Sequence, residues 1–194
     1  GVFYNILKFS QRCLDAWRII LERAPQALLA FSPMQDEAKP SYLRRVAAAG
    51  IDPARVIFIP YGGSDEMNQA RYEVIDLVLD AFPYGGVNGT LEALDAGVPV
   101  VTLCGKKHSE RTSYSILANL GLRDTVATTE SDYIEIACRA ISDNLLRKRL
   151  ENDIRECIVA SPLTDMESYT RNLEAAYCEA LERTGFGWRL QRGA

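Results

Sequence analysis

Residues 80–100 read DAFPYGGVNGTLEALDAGVPV, and their types and spacing suit the binding of a nucleoside diphosphate. The order of parts is the end of a buried strand, a glycine-rich turn, a short helix with a carboxylate in its first turns, and a second buried strand. Small residues at Gly85, Gly86 and Gly89 let backbone N–H groups approach phosphate oxygens, and the helix behind them presents the positive end of its dipole. Tyr84, Asn88 and Thr90 belong to the same turn, and Glu92 is placed to accept hydrogen bonds from ribose hydroxyls. A plainer reading stands beside this one. Gly85 and Gly86 then only permit a tight turn, Gly97 followed by Pro99 stops a helix, and such turns recur in open α/β sheets.

The elements that must position these residues alternate between strand and helix, the signature of a parallel sheet covered on both faces. Strands are expected at residues 2–5, 27–31, 56–59, 75–81, 98–103 and 125–127. Between them, Leu14, Trp17, Ile20 and Leu21 recur at helical spacing, residues 41–49 suit a helix closed by Gly50, and a polar loop with Gly62, Gly63 and Ser64 opens a short helix through Arg71. Residues 109–120 read as a helix stopped by Gly121. The remainder is helical, at 131–141, 144–159 and 166–181. In the last of these Tyr169, Leu173, Ala176, Tyr177, Ala180 and Leu181 form an apolar stripe that needs a surface to cover. Residues 1–183 are expected to form one lobe, and 184–194, which lack a periodic pattern, a flexible tail.

Composition narrows the function further. A chain of 194 residues buries one sizeable core, and a net charge of -4 argues against a broad nucleic-acid footprint. The five cysteines are scattered without a CxxC pair, and His108 is the single histidine, so no zinc site is expected. Free cysteines on helical patterns serve as small core residues, and reduced thiols fit a cytoplasm. No apolar run approaches the span of a bilayer and the amino end lacks a signal-peptide layout, so a cytoplasmic protein without membrane partners is expected. Gly1 leads directly into an apolar segment without a methionine, which suggests a piece of a longer protein. His108 could be read as a general base, but it follows Gly105-Lys106-Lys107 and reads better as a loop residue.

With residues 80–100 continued by Val101-Thr102-Leu103-Cys104-Gly105 and by the block from Arg111-Thr112-Ser113-Tyr114 to Gly121-Leu122, the chain resembles the O-linked N-acetylglucosamine transferase family. It is more loosely similar to bacterial cytoplasmic N-glucosyltransferases. Arg55-Val56-Ile57-Phe58, Asp132-Tyr133 and Ala160-Ser161-Pro162-Leu163 extend the likeness over nearly the whole chain in order.

The resemblance implies the carboxyl-terminal, donor-binding lobe of a two-lobed GT-B glycosyltransferase. In such enzymes the donor is a UDP-sugar, transfer inverts the anomeric carbon without a metal, and the acceptor is a Ser or Thr hydroxyl or an Asn of a protein. An amino-terminal lobe of the same protein is then the partner. Glu92 stands where the family has an acidic residue on the ribose, usually aspartate. Asn88, Gly89 and Thr90 occupy the diphosphate turn. Lys8, after Tyr4-Asn5-Ile6-Leu7, resembles the lysine that contacts the donor phosphates and offsets charge on the departing diphosphate; an ordinary solvated lysine is the competing reading. The loop at 60–67 departs from the family: Ser64 and Met67 stand nearest to where it carries a lysine and a histidine.

Two other classes remain open on sequence. One is a non-catalytic module that keeps the fold as a protein-interaction surface. The other is a dinucleotide enzyme, which the absence of a GxGxxG after the first strand disfavours.

Overall fold

The computed structural model describes residues 1–184. The expected flexible tail lies outside the described residues except for Thr184, which closes the last helix. Among the described residues five strands form: β1 (Leu29–Met34), β2 (Val56–Pro60), β3 (Val78–Leu79), β4 (Val100–Leu103) and β5 (Val126–Ala127). β1 pairs with β2, β3 with β4 and β4 with β5, all parallel.

The two groups of strands are joined by the first residues of the chain. Val2 bridges Phe31 in parallel, donating to Ala30 O at 2.8 Å and accepting from Ser32 N at 3.1 Å. On its other side Leu79 N donates to Gly1 O at 2.9 Å. The spatial order is therefore β2, β1, the Val2 segment, β3, β4, β5. Chain order runs outward in both directions from the boundary between the Val2 segment and β3. That boundary is the topological switch point, outside whose strand carboxyl ends ligands bind in open α/β sheets.

Helices cover both faces because successive strand residues point to opposite sides. On one face Leu77, Leu79 and Val101 pack with Cys13, Leu14, Trp17 and Ile20 of α1 (Gln11–Arg23), Tyr42 and Val46 of α2 (Lys39–Ala48), and Tyr133, Ala137 and Ala140 of α6 (Glu130–Ser142). On the other, Val78 and Val100 pack with Ala93 and Leu94 of α4 (Asn88–Asp95), Ile116 and Leu117 of α5 (Thr112–Asn119) and Ile154 of α7 (Asn144–Val159). Two further helices complete the order: the short α3 (Asp65–Ala70) before β3, and the long α8 (Met166–Arg183) after α7.

The expected strands are shorter than their apolar runs. The run at 2–5 keeps a single bridge at Val2, because Asn5 caps a 3-10 turn, Ile6–Lys8, with its side chain accepting from Leu7 N. The run at 75–81 keeps two strand residues, since Tyr72 N and Ile75 N close turns onto Gln69 O and Tyr72 O. The helix expected at 109–120 starts late: Glu110 gathers the N–H groups of Lys106 and Lys107 around a 3-10 turn, His108–Glu110, before α5 begins. The stripe of α8 finds no cover within the described residues. Tyr169 and Tyr177 are 59% and 62% exposed, and no residue of the helix is buried.

Candidate diphosphate site

The turn between β3 and α4 lies at the switch point, facing the loop that leaves the Val2 segment. It is held there by its own chain. Tyr133 Oη donates to Asp80 O at 2.9 Å and accepts from Trp17 Nε1 at 3.1 Å, while Ser10 Oγ donates to Phe82 O at 2.6 Å. Lys8 Nζ donates to Gly85 O at 3.0 Å and sits over the Tyr84 ring, 4.3 Å from its centroid, and over Tyr4 at 5.3 Å. The structure thus brings Lys8 and the glycine turn together across 77 residues of sequence.

The peptide donors differ from those expected. Gly85 N donates to Ser109 O at 3.1 Å and Gly86 N to the Asp80 carboxylate at 2.9 Å, so neither glycine offers its N–H outward. The open donors come next. Thr90 N and Leu91 N both reach Val87 O, whereas the N–H groups of Val87, Asn88 and Gly89 have no acceptor among the described residues. These are the orphan donors at the start of α4, where the helix dipole is positive.

Within the turn, Gly86 is the glycine with the least room for a side chain. A Cβ on Gly86 would fall 2.6 Å from Thr90 Oγ1 and 2.7 Å from the Tyr4 hydroxyl, whereas one on Gly89 would meet nothing closer than 3.4 Å. Thr90 is fully buried, its hydroxyl 2.9 Å from Ser113 Oγ. It supports the turn from inside and does not reach outward.

Glu92 is exposed on the second turn of α4, one helical turn beyond Asn88 and on the same face. Its Oε2 accepts from Tyr72 Oη at 2.9 Å, and the buried Tyr72 ring stacks on Phe3 at 4.1 Å. Phe3 directly follows Val2, so the carboxylate is tied to the same switch-point segment as Lys8.

Two groups carry displaced acidities. Partial burial lowers the Lys8 ammonium below its usual 10.5, with the nearby Asp80 charge working the other way. Burial raises the Asp80 carboxyl above its usual 3.8, against hydrogen bonds from Thr102 and Gly86.

Sequence reading missed Asp80, Tyr72 and Tyr4. Asp80 is 1% exposed at the end of β3, and Tyr4 has a buried hydroxyl without a hydrogen-bond partner among the described residues. The sequence offered one signal: Asp80 is a carboxylate closing an otherwise apolar run. His108 stands at the start of an exposed 3-10 turn, as expected of a loop residue. In the loop after β2, Ser64 caps α3 by accepting from Met67 N at 3.3 Å, and Met67 is 60% exposed. No three His, Cys, Asp or Glu side chains converge as metal ligands among the described residues, and no described helix is long and apolar enough to cross a membrane.

Comparison with known proteins agrees with this architecture. The chain is 33% identical over 180 residues to the probable UDP-N-acetylglucosamine--peptide N-acetylglucosaminyltransferase SPINDLY of Hordeum vulgare, covering 91% of this chain and 19% of that protein. A solved structure of a mutant Thermobaculum terrenum O-GlcNAc transferase superposes with a TM-score of 0.81 at 32% identity, over 91% of this chain and 35% of that one. The C-terminal domain of a Glycosyl Transferase Group 1 family protein from Francisella tularensis shares the fold at a TM-score of 0.58 and 16% identity, covering 82% of each chain. The chain therefore spans about a fifth of the curated relative and a third of the solved transferase. Residues 2–173 match the profile of Glycosyl transferase family 41, and with a Rossmann-like sheet whose switch point carries the Lys8 and glycine-turn cluster, the chain belongs to that family.

Proposed function

We propose that this chain is the donor-binding lobe of an inverting, metal-independent protein glycosyltransferase. It takes a UDP-sugar and works against an amino-terminal lobe of the same protein, which brings the acceptor. The sugar is N-acetylglucosamine or another hexose, and the acceptor a Ser or Thr hydroxyl or an Asn of a cytoplasmic protein. The names of the relatives support the donor and the peptide acceptor. The observation that carries the reading is the set of open N–H groups on Val87, Asn88 and Gly89, flanked by Lys8 and Glu92 at the switch point.

In this arrangement the three N–H groups and the dipole of α4 hold the diphosphate, and Glu92 accepts from the ribose hydroxyls. Transfer is a displacement at the anomeric carbon: the acceptor atom forms its bond from the face opposite the diphosphate and gives up its proton to a base on the amino-terminal lobe. The bond to the diphosphate oxygen breaks, and its electron pair leaves with UDP. Negative charge grows on that oxygen, and the Lys8 ammonium with the orphan donors stabilises it more in the transition state than in the bound donor. A cation in that place does what a divalent metal does at other diphosphate sites.

Calorimetry of the chain with UDP tests this reading. Saturable binding at micromolar to millimolar UDP, without magnesium and tighter than NAD, is expected, with no sugar transfer by the chain alone. Silence at millimolar UDP would favour the interaction module, and preference for NAD the dinucleotide enzyme.

A further inference from the structure

The Asp80 carboxylate touches no atom of the UDP-sugar in the reading above, yet it holds the peptide N–H immediately before the three on which that reading depends. Its Oδ1 accepts from Gly86 N at 2.9 Å and its Oδ2 from Thr102 Oγ1 of β4 at 2.6 Å. The carbonyl of the same Gly86 accepts from Ser113 Oγ on α5 at 3.2 Å. Both polar groups of Gly86 are thus clamped, one by a carboxylate anchored on the sheet and one by a helix. Nor can the turn slide, because Thr90 and Tyr4 close on Gly86 within the reach of a single added carbon.

We infer that Asp80 is a positioning residue for the diphosphate: by drawing the Gly86 N–H inward it turns the next three peptide groups outward, so that Val87, Asn88 and Gly89 present their donors to the ligand. Val87 is the residue where the chain reverses, with φ -129 and ψ -78, and α4 starts directly after it. Were Gly86 N–H released, it would compete for the ligand from the wrong side and the first turn of α4 would lose its fixed start. A negative group is tolerated behind an anion site because the Gly86 N–H lies between the two. It is also tolerated because Lys8, donating to Gly85 O next door, is close enough for its charge to offset that of Asp80. Burying a carboxylate costs free energy unless it is fully hydrogen-bonded. Keeping one at 1% exposure for the sake of one glycine N–H and one threonine fits a role in shaping the turn.

This inference rests on the donor-binding reading, and the test separates the two. Affinities of the wild-type chain, Asp80→Ala and Asp80→Asn are measured for UDP and for uridine by titration followed in NMR spectra, with Tm as a check on folding. Asp80→Ala is expected to weaken UDP tenfold or more while leaving uridine within twofold. Asp80→Asn, which keeps an oxygen for Gly86 N–H, should restore most of the UDP affinity. Where Asp80→Ala does not fold, Ser113→Ala releases the other side of the clamp and is expected to weaken UDP at least threefold with uridine unchanged. Equal losses for UDP and uridine, or an Asp80→Ala chain that binds UDP as wild type does, would overturn the inference. A wild-type chain that binds neither compound would overturn the donor-binding reading and this inference with it.

Discussion

Lys8 shows how a residue's surroundings set its chemistry. A solvated lysine keeps its charge past pH 10, but Lys8 is drawn against two tyrosine rings and partly stripped of water, which lowers its pKa. Diphosphate binding favours the ammonium form, so affinity should be highest while Lys8 is protonated and fall as pH rises through its lowered value, below 10.5. Lys8→Met should abolish that pH dependence and weaken UDP by about 10- to 100-fold, the size of a charge-assisted hydrogen bond of about 1.5–3 kcal/mol; isothermal titrations between pH 7 and 10 check both. Glu92→Ala, in contrast, should weaken UDP and uridine alike, since the ribose is common to both. At this scale the sequence pointed to Asn88 and Glu92, which are exposed, and equally to Gly86 and Thr90, which are buried, and it hid their supports. Glu92 and Asn88 are recognisable from a helix start after a glycine turn. Tyr72, which holds Glu92, and Asp80, which holds Gly86, are legible only once tertiary contacts across 20 and 6 residues are known.

The turn and α4 act as one element, and steric room decides what they tolerate. Gly86→Ala places a carbon within 2.7 Å of Tyr4 and Thr90, two buried side chains. It should cost about 1–3 kcal/mol of stability, as overpacking does, and abolish UDP binding with it. Gly63→Ala is the matched control: a Cβ there meets nothing within 4 Å, and Tm should be unchanged. Both are read from thermal denaturation. The type and order of the elements were legible because apolar runs alternate with helical periodicity, but their ends were not. Apolar runs continue past the strands at 2–5 and 75–81, since Phe3 and Ile75 remain in the core after the ladder stops. Local capping by Asn5 and Glu110, competing with the longer pattern, set the observed boundaries.

For the whole molecule, the strand order places the amino-terminal segment at the centre of the sheet, so the loop carrying Lys8 and the turn carrying Gly86 meet although they are far apart in sequence. Alternation alone implied a parallel sheet; the central place of Val2 follows from its two-sided bonding and could not be read from composition. The apolar stripe of α8 is a second feature of this scale. Tyr177 is 62% exposed, so Tyr177→Ser should change the stability of the chain by less than about 0.5 kcal/mol in urea unfolding, in contrast to any residue of α1 facing the sheet. Amide chemical shifts of the nitrogen-15-labelled chain titrated with UDP read directly which peptide groups meet the diphosphate. The largest shifts are expected at Val87, Asn88 and Gly89, with Gly86 N–H protected from exchange before and after binding. Saturation with UDP that leaves those three amides in place while signals elsewhere move would contradict it.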